Sequence, residues 1–276
     1  MDIREIVDLD RYFLDRLSGP EGSQFLSHCR SQLAETGSCL LPGFLRPEAL
    51  AAALSDADAA LSRAHQVDHA FAYDYDYPNP GAVPLASLPP DHPRHFSSLT
   101  RIRFIAKDLI PDGDPLKRLF HWPPMADFVG AALGMPAAYP SACPLSGCVF
   151  TVAEAGELQD WHFDSNEFIV TLVLRDSPSG GSFEYVPSLR APGRDDDFDG
   201  VGRALAGDRR NVIRLKSEPG TLTLFKGRYN FHRASPVEGA GRRVMAILSY
   251  EDGPDRVGVD SHLKLFYGRT LADVGI

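Results

Sequence analysis

This chain lacks any apolar run approaching the roughly 18 residues that cross a bilayer, so no membrane-spanning helix is expected. It also lacks a cluster of lysines and arginines. With 28 basic residues against 37 acidic ones, the formal net charge is −9, which disfavours binding to a nucleic-acid backbone. Cysteine is scarce: Cys29, Cys39, Cys143 and Cys148 are the only four in 276 residues. Their irregular spacing suits neither a disulfide framework nor a paired zinc motif, and buried free thiols are expected. The N-terminus, Met1-Asp2-Ile3-Arg4-Glu5-Ile6, lacks the basic-then-apolar layout of a secretion signal, so a cytoplasmic location is expected. Internal repeats and low-complexity tracts are absent as well.

What is present is a chain of ordinary globular composition, 43% apolar and 24% charged, long enough for a large core. We read residues 1–276 as a single catalytic domain, with helical support over 1–66, a lid or loop segment over 67–96, and helices plus the core over 97–276. Phe25, Leu26, Cys29 and Leu33 recur at helical spacing before Gly37, and Pro47 with Glu48 opens an Ala-rich helix running to about Arg63. Between Val67 and Phe96, runs such as Tyr73-Asp74-Tyr75-Asp76-Tyr77-Pro78 and Leu88-Pro89-Pro90 argue against a regular element and for a lid or binding loop. Pro115 to Leu133 is expected to be helical, interrupted at Pro123-Pro124.

From about Ala142 the pattern changes to short strands: Gly147 to Val152, Phe163 to Leu174, Gly181 to Tyr185, Asn211 to Leu215, Thr221 to Phe225 and Arg243 to Tyr250. Strands late in the chain, after helices, predict a mainly β fold: a double-stranded β-helix, a jelly roll of cupin-like form, packed against N-terminal helices.

Within this pattern stands Trp161-His162-Phe163-Asp164, answered downstream by Phe231-His232-Arg233. In an alternating strand, residues two apart face the same way, so His162 and Asp164 are expected to point together into the barrel. Two histidines and one carboxylate make the facial ligand set of non-haem iron, with positions left open for a chelating cosubstrate and oxygen. A His-x-Asp pair alone is common as a surface hydrogen bond. The order around it is the distinguishing feature: an apolar strand, then Gly180-Gly181-Ser182-Phe183-Glu184-Tyr185-Val186-Pro187, then Pro219-Gly220-Thr221 leading to the second histidine.

With these residues the chain resembles the iron(II)- and 2-oxoglutarate-dependent oxygenases. It is most similar to the bacterial branch of free amino-acid halogenases and their hydroxylase relatives. Gly37-Ser38-Cys39-Leu40-Leu41-Pro42-Gly43-Phe44-Leu45 resembles the front end of the phytanoyl-CoA-type oxygenases. The resemblance implies Fe(II) held by His162, Asp164 and His232, with 2-oxoglutarate as cosubstrate and O2 as oxidant. The halogenase members have a small residue in place of the carboxylate, so Asp164 favours hydroxylation.

The far carboxylate of 2-oxoglutarate needs a cationic, preferably bidentate partner. Arg243 is the expected one, with Arg242 the alternative, since alternation lets only one point inward. Thr171 and Ser235 are further candidates for the cosubstrate. Arg101, Arg103, Asn166, Glu167 and Tyr75 are candidates for the substrate. The expected partner is a small polar molecule such as a free amino acid, with no nucleic acid and no membrane; the oligomeric state is not set. Alternatives are desaturation, cyclisation or halogenation by the same oxidant, or a cupin-like binding protein without oxygen chemistry.

Overall fold

The computed structural model describes residues 1–73, 83–215 and 218–276. In chain order it forms α1 (Ile3–Ile6), α2 (Leu9–Tyr12), α3 (Pro20–Glu35), β1 (Ser38–Leu41), α4 (Pro47–Ala60), β2 (His65–Ala72), β3 (Ser97–Ile105), α5 (Pro115–Phe120), α6 (Pro123–Leu133), β4 (Tyr139–Pro140) and β5 (Cys148–Ala153). There follow β6 (Leu158–His162), β7 (Ile169–Arg175), β8 (Phe183–Val186), α7 (Phe198–Leu205), β9 (Ile213–Leu215), β10 (Leu222–Phe225), β11 (Phe231–Ala234), β12 (Arg243–Leu248), β13 (Tyr250–Glu251) and α8 (Asp260–Tyr267).

Proline sets several of the helix starts. Pro20, Pro47, Pro115 and Pro123 each occupy a first-turn position, where the missing N–H costs nothing. The Pro123-Pro124 pair thus divides the expected helix into α5 and α6.

Eleven strands form one curled antiparallel sheet in the order β1-β10-β7-β12-β5-β3-β6-β11-β8-β9, with β2 added against β3. β3 joins the two halves, pairing Arg103 with Val152 of β5 and Thr100 with Gln159 of β6. The curl gives every central strand two different faces. Phe150 and Val152, Val170 and Leu172, Leu222 and Leu224, and Val244 and Ala246 point outward into one cluster with Leu33, Ala53, Leu116 and Phe128 of the helices. The intervening residues, Thr151, Thr171, Thr223, Arg243 and Met245, point into the barrel. This is the β core with N-terminal helical support expected from the sequence, and solved structures of the same fold are described below.

Two expectations require correction, and a third falls where the structure describes no residues. Residues 65–72 form a strand rather than loop; Val67 and Phe71 bury against Ile102 and Phe104 beneath Phe266 of α8, while the polar residues between them stay exposed. Tyr75 and most of the tyrosine-aspartate run lie outside the described residues. The strand expected over Phe163 to Leu174 starts only at Ile169, so Asp164 stands in the loop after β6. All four cysteines are buried and free, as expected.

Candidate iron site

β6 and β11 run side by side, with His162 directly opposite His232. Their rings lie 4.1 Å apart between centroids. Each ring is held the same way: His162 Nδ1 donates to the Asp160 carbonyl at 2.6 Å, and His232 Nδ1 to the Asn230 carbonyl at 2.8 Å. Those bonds place the proton on Nδ1 and leave both Nε2 lone pairs facing the interior.

Asp164 completes the group from the adjoining loop, its Oδ1 lying 3.5 Å from His162 Nε2 and 3.4 Å from His232 Nε2. Strand alternation does not place it, because β6 has already ended. Instead its backbone N–H donates to the Gly227 carbonyl at 3.2 Å, and its carboxylate lies over the Gly227 α-carbon. A Cβ at Gly227 would stand 1.7 Å from Asp164 Oδ2. The loop after β10 therefore has to carry glycine here.

The electrostatics suit a cation. Burial raises the Asp164 carboxyl, but His232 and His162 beside it outweigh this and hold it well below the usual carboxylate range. Burial lowers His232. An anionic carboxylate and a neutral imidazole are the protonation states that metal ligands need. Three acceptor atoms, one from each side chain, converge within 4.8 Å of one another, and Asp164 Oδ2 is buried without a hydrogen-bond partner. One carboxylate and two imidazoles converging on one point are the ligand set of a divalent cation. The residues present fit iron.

The arginines divide clearly. Arg242 pairs with Asp58 of α4 at 3.1 Å and with Glu154 at 3.0 Å, on the outer side of β12. Arg243 faces the barrel interior, its Cδ packed over Gly181. It has no hydrogen bond or ion pair among the described residues. Burial lowers it to about 10, against a weak opposing pull from Asp176. Thr171 shares that interior face but pairs with Ile247, four residues along β12 from Arg243, or roughly 13 Å away at strand rise. Ser235 Oγ accepts the Ser182 N–H at 3.0 Å and so ties the chain beyond β11 to the approach to β8.

The substrate candidates are not gathered at the site. Arg101 pairs with Asp68 at 3.0 Å, and Arg103 with Glu154 and Glu157, both on the face of β3 opposite Ser98 and Thr100. Asn166 is exposed, and exposed Glu167 accepts the Tyr229 hydroxyl.

Two residues not singled out in the sequence stand at the centre. One is Gly227. The other is Gln159, three positions before His162, whose amide nitrogen lies 3.2 Å from His162 Nε2. Residues three apart normally face opposite sides of a strand, but the register between β6 and β11 shifts here. Gln159 pairs with Ala234 while His162 pairs with His232, so β6 carries one extra residue. That bulge turns both side chains to the same face.

Comparison with solved structures bears out the jelly-roll fold. The non-heme α-ketoglutarate-dependent carbocyclase SnoK from nogalamycin biosynthesis is 14% identical, with 86% of this chain and 89% of that chain covered at a TM-score of 0.55. AviO1 from Streptomyces viridochromogenes is 18% identical, with 83% and 96% covered at 0.53. A 2OG-Fe(II) oxygenase family oxidoreductase from Burkholderia pseudomallei is 17% identical, with 83% and 92% covered at 0.51. No curated protein matches. The family model described as Halogenase D matches residues 91–262, more than half of the chain and a span that contains His162, Asp164, His232 and Arg243. The chain belongs to the halogenase D family.

Proposed function

We propose that this protein is an Fe(II)- and 2-oxoglutarate-dependent dioxygenase that hydroxylates an unactivated C–H bond of a small polar metabolite, with a free amino acid the leading candidate. The observation that carries the reading is Asp164: a carboxylate between two histidines, one oxygen buried and unpartnered. His162, Asp164 and His232 would hold the iron, and Arg243 would receive the far carboxylate of 2-oxoglutarate. Iron bound there supplies oxygen activation coupled to decarboxylation of 2-oxoglutarate.

The protein's own contribution is positional. The Asp160 and Asn230 carbonyls hold both imidazoles in one tautomer, and Gly227 leaves room for the carboxylate. Phe183 and Phe225 pack against His232 and exclude water from its side of the site. Arg243 is the better cosubstrate partner than Arg242, because Arg242 would have to give up two carboxylates while Arg243 has none to release.

The family's name favours halogenation as a second reading, and Asp164 opposes it, since chloride would need the coordination position the carboxylate fills. The test is succinate release on incubation with iron, 2-oxoglutarate and a panel of amino acids, with mass analysis of products in the presence of chloride or bromide. A hydroxylated product, lost in His162→Ala and Asp164→Ala variants that still fold, is the expected result. A halogenated product would reverse the role given to Asp164. Absence of succinate with any metabolite would favour a cupin-like binding protein.

A further inference from the structure

Beside His162 lies a small cavity of about 40 Å³, partly open to solvent and bounded by β2, β3, β6 and Phe266 of α8. Among the described residues, no lysine, arginine, aspartate or glutamate lines it. Its polar side is a row formed by Ser98, Thr100 and Gln159. Ser98 and Thr100 are two apart on one face of β3, and Thr100 is the register partner of Gln159. Phe71 and Phe266, stacked at 5.7 Å, provide an apolar wall.

Two members of this row have hydrogen-bonding capacity that the protein itself does not use. Ser98 is 3% exposed, and its Oγ has no partner. A buried hydroxyl left unpaired is costly and calls for an explanation. The Gln159 carbonyl makes no hydrogen bond among the described residues, and its amide donates to His162 Nε2. That nitrogen is the atom assigned to iron, so a loaded site withdraws the amide's acceptor and turns its N–H groups toward the cavity. The row then offers both donors and acceptors, with no charge to balance an ion.

We propose that Ser98, Thr100 and Gln159 form the substrate-recognition row of this enzyme, taking into the cavity a single uncharged hydrogen-bonding group, a carboxamide or hydroxyl, whose apolar body lies across the open mouth against Phe71 and Phe266. This rests on the reading of His162 as an iron ligand. It narrows the substrate class to metabolites whose segment beside the metal is neutral, such as an amino acid with an amide or hydroxyl side chain.

Matched probes test it by calorimetry on the full-length protein loaded with Zn(II) and 2-oxoglutarate, where no turnover occurs. Cyclohexanecarboxamide is expected to bind at least tenfold more tightly than its cationic counterpart, cyclohexylmethylammonium. Ser98→Ala is expected to weaken the carboxamide about tenfold and to leave Zn(II) and 2-oxoglutarate binding unchanged. Its metal-free melting temperature should not fall, because the hydroxyl it removes has no partner; a structural serine would lower it. Equal or tighter binding of the ammonium, a change of less than twofold in Ser98→Ala, or a destabilised metal-free variant would each overturn the proposal. Failure of Zn(II) to bind would overturn the iron-site reading along with it. Zn(II) and 2-oxoglutarate binding without preference for the carboxamide would overturn this inference alone.

Discussion

Asp164 and Gly227 come from loops after different strands, and their close approach sets the site's tolerance to change. Gly227→Ala places a methyl group 1.7 Å from Asp164 Oδ2, so the carboxylate or its loop must move. Removing support of this kind around a metal ligand typically costs 10- to 100-fold in metal affinity. Metal titration should show a loss of about that size, with the fold retained. Arg243→Ala should raise the 2-oxoglutarate requirement by on the order of 30-fold, the loss of a charge-assisted partner. Arg242→Ala should leave that requirement within about twofold, as read from cosubstrate dependence of succinate formation. At this scale the sequence revealed the histidines and the carboxylate through their order, and alternation showed that only one of the paired arginines could face inward. It could not say which, because the carboxylates that engage Arg242 are Asp58 and Glu154, remote in the chain. Gly227 and Gln159 were equally illegible, since a close approach and a bulge exist only once strands pair.

The helices and strands carry their own titration. Asp114 caps α5, its Oδ1 accepting the Leu116 and Lys117 N–H groups at 2.8 and 3.0 Å. Burial raises its carboxyl to about 7; the two backbone donors oppose this and Asp56 adds to it. In the unfolded chain an aspartate ionises near pH 4. The folded state therefore keeps a proton that the unfolded state has lost between about pH 4 and 7, and stability falls as pH rises through that window. Asp114→Asn keeps the capping oxygen and removes the titration. Urea melts should show the wild type losing on the order of 3 kcal/mol relative to this variant between pH 4 and 7; parallel pH profiles would refute the assignment. Element types were legible where periodicity was dense, as in α3 and β12. They were misread at β2, where only Val67 and Phe71 mark the buried face, and at Phe163 to Phe168, where apolar residues pack around the site from a loop.

For the molecule as a whole, the helices and the barrel share one core. Ile6, Leu33 and Phe44 pack in the same cluster as Leu172, Leu224 and Ala246, and β1 pairs along β10. Deleting residues 1–41 should therefore abolish cooperative folding of the barrel rather than release it intact, as circular dichroism melts and gel filtration would show. Zn(II) at about 100 times its dissociation constant should raise the stability of the intact chain by about 2.7 kcal/mol, measured as a shift in melting temperature. Asp164, by contrast, belongs to neither core nor sheet. Its backbone is tied to the fold by a hydrogen bond to the Gly227 carbonyl, which any amino acid but proline retains at that position. Exchange of the carboxylate for a small side chain therefore touches no strand, and on the function proposed above it would open, within an unchanged scaffold, the coordination position that chloride needs.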